Sequence, residues 1–552
     1  MEFCKINFGK QQVRHILRPT NLYARLLNIS YHPDLLHNFI DRRVFLLWLR
    51  FQLEEELREE DQSALIEEYR SLLNGDIPYF YTYTDSRSLF CKNEKEIKNY
   101  FEKTIYESIE EKIMNIGTDD LRRQIAFINS AYRLVDAKSH LTKTVFQTNS
   151  EDELDYISLK EQFLNEAINI GKLIIKKGIY GNTASNKKAI SWLGISTTQS
   201  KVDMMGPVGN DLYDGNAGVA IFFAALASQT GMSEFKEMAY LTLEPIREML
   251  ENFNDYTGEK KMGAFIGAFG WLYSMQKVAD IFNDVEMQAF VNKKLMYIIP
   301  MLSEISCGAD VIGGYAGILS LVLFWNRRGI IEKKDFEQLS NYLLQKIMDS
   351  MMTDELSGGY MWEGKYSGYA HGNAGIIGQL VKLYSYTQNK YILKVIEKGL
   401  TFERSLFDTN KQMWLRRQGS NEIQYTWCNG ATGILLSRIE LLKNGYVDEY
   451  INREIEFLIS ECKKYSTGKG MCLCHGDVGN ILILKYAANY FENHTLENEC
   501  ISTMQYFVKN SLNLIQLEEE EEWGLLTGAA GIGLGLLSVI DSDYAMDILE
   551  LK

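Results

Sequence analysis

The chain has 552 residues, 46% of them hydrophobic and 24% charged, with a formal net charge of −15. That length exceeds one compact core and sets an expectation of about two to four domains. The acidic balance argues against a nucleic-acid binder, which needs a basic face to displace counterions. No run reaches the roughly 18 apolar residues of a membrane helix, and the start lacks an apolar signal segment. The expected location is therefore the cytoplasm.

Residues 1–155 and 156–552 read differently. In the first part, "LLWLRFQLEEELREEDQSALIEEYRSLL" (46–73) carries apolar residues at helical spacing. "NGDIPYFYTYTDSRSLF" (74–90) breaks that pattern with Gly, Pro and aromatics, and reads as a turn before an extended segment. Helical patterns resume over 94–116 and 119–134. The polar, acidic "TNSEDELDYISLK" (148–160) then reads as a linker leading into a helix start. Only six prolines occur in the whole chain, in keeping with a mainly helical protein.

From there to the end a repeat emerges. Gly-x-x-Gly opens an apolar helical run at Gly215, Gly267, Gly314, Gly372, Gly430, Gly476 and Gly528, with spacings of 46 to 58 residues. Each interval suits two helices and their loops. A single Gly-x-x-Gly says little, but seven at a near-constant period specify stacked helical hairpins whose inner helices start at the glycines. An open stack needs polar end caps. The last repeat, "GAAGIGLGLLSVI", is among the most apolar, so the expected fold is a closed seven-fold α/α toroid. "GNAGVAIFF" lacks a preceding strand and a Lys-Ser/Thr pair, which excludes a phosphate-binding loop.

Closure would gather reactive residue types that lie just before the turns: Asp211 and Asp214 before Gly215, His371 before Gly372, Cys428 before Gly430, and Cys474 and His475 before Gly476. Eight cysteines in a long cytoplasmic chain are not a disulfide framework. Cys428, Cys474 and His475 are the donor set of a catalytic zinc site with a fourth position left for substrate. The bland alternative is buried cysteines and a hydrogen-bonded core histidine. Cys472 would close that fourth position, so it is read as packing. His371 is the acid/base candidate, with Asp211 as the carboxylate that orients or charges it. Asp214 could serve His371 in the same way or cap the helix, and the cap is the favoured reading; Glu518–Glu522 is read as a solvated loop.

"AHGNAG", "WCNGATG", "LCHGDVGN" and "GLLTGAAGIG" resemble the lanthionine synthetase C-like cyclases. The resemblance implies a double α-barrel around one Zn2+ held by Cys428, Cys474 and His475, with His371 and Asp211 as the acid/base pair. It implies addition of a peptide cysteine thiol to dehydroalanine or dehydrobutyrine, giving lanthionine or methyllanthionine thioethers. Residues 1–155, with "VRHILRPTNLYARLLNIS" and "LLNGDIPYF", are similar to the C-terminal part of the dehydratase domain of class II lanthipeptide synthetases, a mostly helical, kinase-like domain. Arg14 and Thr20 match that family's elimination residues.

The Lys and the Asp/Asn/His cluster of a kinase-like site have no counterpart here. The chain is expected to begin inside that domain, and ATP and Mg2+ belong to the missing portion. The implied partners are a leader-bearing precursor peptide, a separate kinase-like half and an export transporter. The rival readings are a non-catalytic toroid that binds thiols or peptides, and a toroid hydrolase. The latter would need two facing carboxylates.

Overall fold

The computed structural model describes residues 6–47, 58–118, 120, 121, 124, 125, 128, 144–148, 154–197, 203–253, 261–515, 517, 521–540 and 543–552. No helix among them is long and apolar enough to cross a membrane. The chain forms two compact units, residues 1–127 and 128–552.

In the first unit, strands Gln12–His15, Phe80–Tyr83, Leu89–Cys91 and Glu96–Ile97 form an antiparallel sheet in that order. Helix Glu59–Leu73 buries Leu65 and Leu72 against Tyr23, Leu26 and Leu46. Its buried Glu68 is held by the Tyr23 hydroxyl and by Arg18 Nε at 2.9 Å. The helical expectation over 94–116 is corrected in its first half. Glu96–Ile97 pairs with Leu89–Cys91, and the helix runs only over Ile105–Met114. Its start is set by a reciprocal capping box between Thr104 and Glu107. Within the 46–73 pattern, residues 48–57 lie outside the described residues, as does most of 119–134.

The second unit is the expected ring. Its inner helices are Asn216–Thr230, Ala268–Phe282, Tyr315–Arg327, Asn373–Thr387, Ala431–Lys443, Asp477–Tyr490 and Ala529–Leu537. Each is capped by the first glycine of one Gly-x-x-Gly turn. Each packs on the next, and the last packs on the first. Their near-uniform apolarity reflects burial on every side; residues 216–227, for example, are all buried. The outer helices are amphipathic, as in Ile451–Tyr465, which buries Ile451, Ile455, Leu458 and Cys462. The outer partner of the seventh inner helix is Tyr156–Lys177, supplied from the other end of the unit. Inside and outside are thus closed by different ends of this unit.

The glycines are required by close approach. A Cβ on the second glycine of the fourth, sixth or seventh turn (Gly375, Gly479, Gly531) would lie 1.7–1.8 Å from the carbonyl oxygen of Tyr369, Leu473 or Leu525. With those side chains gone, the seven turns stitch together through their backbones. Tyr213 N–H donates to Phe265 O, Phe265 to Ile312, Val311 to Ala370, Ala370 to Cys428, Cys428 to Cys474, Cys474 to Leu526, and Leu526 back to Tyr213, at 2.8–3.3 Å. This is a closed circuit of hydrogen bonds through the residues that immediately precede the inner helices.

Farther along the inner helices, helix Tyr544–Glu550 and the residues after it seat among them. Tyr273 Oη donates to Lys552 O, Lys382 Nζ to Glu550 O, and Tyr486 Oη to Glu550 Oε1, at 2.6–2.9 Å. These donors sit well past the glycine starts of their helices. Residues 544–552 therefore occupy the part of the ring away from the turns.

Candidate functional site

Cys428 and Cys474 both stand two residues before their glycine, inside the hydrogen-bonded circuit, and the Cys428 N–H donates to Cys474 O at 3.3 Å. Register alone therefore brings the fifth and sixth turns together. His475 stands one residue later, where the chain bends into helix Asp477–Tyr490. The ligand atoms of Cys428, Cys474 and His475 all lie within 4.8 Å of one another; both thiols are buried and the imidazole is exposed.

Tyr213 Oη is 2.8 Å from Cys474 Sγ. Asn429 Nδ2 donates to Cys428 Sγ at 3.5 Å, and Thr426 Oγ1 lies 3.6 Å from the same sulfur. Hydrogen bonding from Cys474 and His475 pulls the Cys428 thiol down to about 4, while the same pairing with Cys428 and burial push Cys474 up. Cys428 and Cys472 raise His475 to about 11. Two thiols and an imidazole suit a zinc-like ion. Cys472 is buried and faces His475 without joining the three.

His371, one residue before Gly372, is adjacent to this cluster, because the preceding Ala370 N–H donates to Cys428 O at 3.0 Å. Its Nδ1 lies 2.6 Å from Asp310 Oδ2. Burial lowers the imidazole pKa, but the Asp310 carboxylate outweighs it and the net shift is upward.

The expected pairing of His371 with Asp211 is therefore corrected: Asp310 holds the histidine. Asp211 faces the Gly267 N–H, Trp271 and Lys261, and burial raises its pKa. Asp310 was legible in principle. It stands four residues before Gly314, as Asp211 does before Gly215. Asp310 belongs to the third turn, which borders the histidine's fourth in a ring closed in chain order, whereas Asp211 belongs to the first.

Asp214 does not cap. The cap is Gly215, without a side-chain bond, and Asp214 Oδ1 accepts from Thr527 Oγ1 at 2.6 Å across the ring closure. Residues 518–520 of the acidic run lie outside the described residues. Arg14 is exposed on strand Gln12–His15, its guanidinium 5.6 Å from the centroid of the Tyr79 ring. Thr20 is exposed at the start of helix Thr20–Ser30. No hydrogen bond joins these two residues.

Comparison with known proteins gives the following. The family model described as lanthionine synthetase C-like protein matches residues 206–550. A model for a domain of unknown function, DUF4135, matches residues 4–83. The lacticin 481/lactococcin biosynthesis protein LcnDR2 of Lactococcus lactis subsp. lactis is 24% identical over 575 residues, covering 99% of this chain. The chain spans 58% of the length of that curated relative. A solved nisin cyclase structure aligns with a TM-score of 0.50 at 18% identity, covering 62% of this chain and 92% of its own; this likeness bears on the fold.

Proposed function

We propose that this chain, which belongs to the lanthionine synthetase C-like family, closes thioether rings in a dehydrated precursor peptide in the cytoplasm. The observation that carries the reading is the convergence of Cys428, Cys474 and His475 within 4.8 Å beside the His371–Asp310 pair. Cys428, Cys474 and His475 would hold one zinc ion, which supplies Lewis-acid activation of a substrate thiol at neutral pH.

The chain's own residues do the rest. The peptide thiolate sulfur bonds to the β-carbon of dehydroalanine or dehydrobutyrine, and the π pair moves to the α-carbon. His371 delivers the proton there from Nε2, because Nδ1 is committed to Asp310. The raised pKa keeps that proton available near neutrality. The two protein thiols are buried while both imidazoles are exposed, so a peptide can reach the acid without displacing the core. Holding both reacting ends at one end of the ring supplies proximity.

The dehydrated residues are taken as supplied by a separate reaction. Arg14 and Thr20 are exposed and unjoined, and do not by themselves assemble an elimination site. The test uses the zinc-loaded full chain and a pre-dehydrated precursor peptide, with free thiols counted by alkylation and mass. Thiols should disappear with the wild-type chain and persist with Cys428→Ala. Persistence at the uncatalysed rate with wild type overturns the reading.

A further inference from the structure

With a zinc ion held there, the site would confront an electrophile with several thiolates at once. Besides the peptide thiol, Cys428 and Cys474 would bring two of their own. Either could attack: Sγ would bond to the β-carbon of the dehydro residue, the π pair would move to the α-carbon, and that carbon would take a proton. The product is a neutral thioether on the enzyme, a poor ligand, with the peptide covalently attached. Repeated turnover requires that this not happen, yet burial alone does not prevent it, because the acceptor must come close to the cluster.

Each protein sulfur has a hydrogen-bond donor of its own. Tyr213 Oη lies 2.8 Å from Cys474 Sγ, and with that sulfur held on a metal as a thiolate the phenol would be the donor. Asn429 Nδ2 and Thr426 Oγ1 lie 3.5 and 3.6 Å from Cys428 Sγ. Tyr213 is not a loose surface rotor. Its N–H donates to Phe265 O at 3.1 Å, and its carbonyl accepts from Leu525 and Leu526 N–H at 3.1 and 2.8 Å. Its ring meets Phe265 edge-on at 6.5 Å. It reaches across the seventh turn, from the first turn to the sixth, to make this one bond. A donor placed on a thiolate draws charge from the lone pair that would attack, and holds the sulfur's orientation.

We propose that Tyr213, with Asn429 in the weaker role, is a positioning residue that keeps the enzyme's own thiolates as spectators, so that only the peptide thiol adds to the acceptor. This rests on the cyclase reading of the same site.

The test uses the zinc-loaded full chain and N-ethylmaleimide, a soft acceptor that forms the same carbon–sulfur bond. Alkylation of each cysteine is timed by peptide mass mapping, and zinc release by a chromophoric chelator. Tyr213→Phe keeps the ring packing and removes the hydroxyl. Alkylation of Cys474 and zinc release should accelerate about tenfold, the rate equivalent of one charge-assisted hydrogen bond. Cys428 should keep its wild-type rate. Asn429→Ala should do the reverse, accelerating Cys428 and sparing Cys474. An unchanged Cys474 rate in folded, zinc-loaded Tyr213→Phe overturns the proposal. Should that variant fail to melt cooperatively, Asn429→Ala decides, and an unchanged Cys428 rate overturns it. A wild-type chain that takes up no zinc overturns the cyclase reading instead.

Discussion

The sixth and seventh turns of the ring share one backbone and differ in almost everything else. Both begin an inner helix at a glycine, both fold a second glycine onto a carbonyl, and both contribute a link to the hydrogen-bonded circuit. At the two positions before the glycine the sixth carries Cys474 and His475, and the seventh carries Leu526 and Thr527. The lesson is a division of labour. Backbone register fixes where a side chain will stand, and the choice of residue at that place decides whether the turn does chemistry or only holds the ring.

The sharpest way to break this comparison is His475→Ala in the sixth turn. Metal content should fall from about one zinc per chain to none, with ring formation at the uncatalysed rate. Thr527→Ala at the matching face of the seventh turn should leave both intact. Metal analysis and the thiol count check both variants.

The converse concerns the shared part. Gly479→Ala and Gly531→Ala would place Cβ 1.8 and 1.7 Å from a carbonyl oxygen. Each should cost about 3 kcal/mol by overpacking, the inert turn as much as the reactive one. Thermal melting decides this, and a near-neutral Gly531→Ala would break the claim of equal backbone duty.

The third test separates the two aspartates that share one register. His371 has its pKa raised above the ordinary value, so the stabilisation from Asp310 is fully present below about 6.5 and is lost as pH rises through the folded-state value. The acid form, and with it the cyclisation rate, should persist above that ordinary value. Asp310→Asn should move the alkaline limb of the pH–rate profile downward and lower the rate at neutral pH by at least about tenfold. Asp211→Asn should leave the limb in place. The smallest expected effect is that of Thr527→Val, which removes the 2.6 Å bond to Asp214 and should cost about 1 kcal/mol.

Much of this was legible in the amino-acid order because the repeat is a ruler. Seven glycine pairs marked seven helix starts, and the ruler placed Cys428, Cys474 and His475 at one end of the ring. It failed where the partner is chosen across turns rather than along the chain. Asp211 and Asp310 occupy equivalent positions, and the choice between them needed the turn order as well as the register: Asp310 is on the third turn, beside His371's fourth, and Asp211 on the first. Tyr213 stands at the same position as the two cysteines, but an aromatic there reads as core until its hydroxyl is seen on Cys474. In the first unit, helical spacing over 94–116 masked a two-residue strand, because Ile97 satisfies either period and its pairing partner lies several residues upstream across a turn.

The closed circuit also sets when the site can exist. Cys474 is aligned by a bond to Leu526, and Tyr213 by bonds to Leu525 and Leu526, so the arrangement around the proposed metal ligands draws on a contact, Tyr213 with Leu526, between residues more than three hundred positions apart. Such contacts come late and slowly in folding, since the loop entropy must be spent before they form. During synthesis at the ribosome, a chain that has made six of its seven inner helices already holds the three proposed ligands and the His371–Asp310 pair, yet lacks Leu525 and Leu526, which align Cys474 and Tyr213. The same architecture would therefore leave Cys474 and Tyr213 without their backbone partners until the seventh turn has emerged.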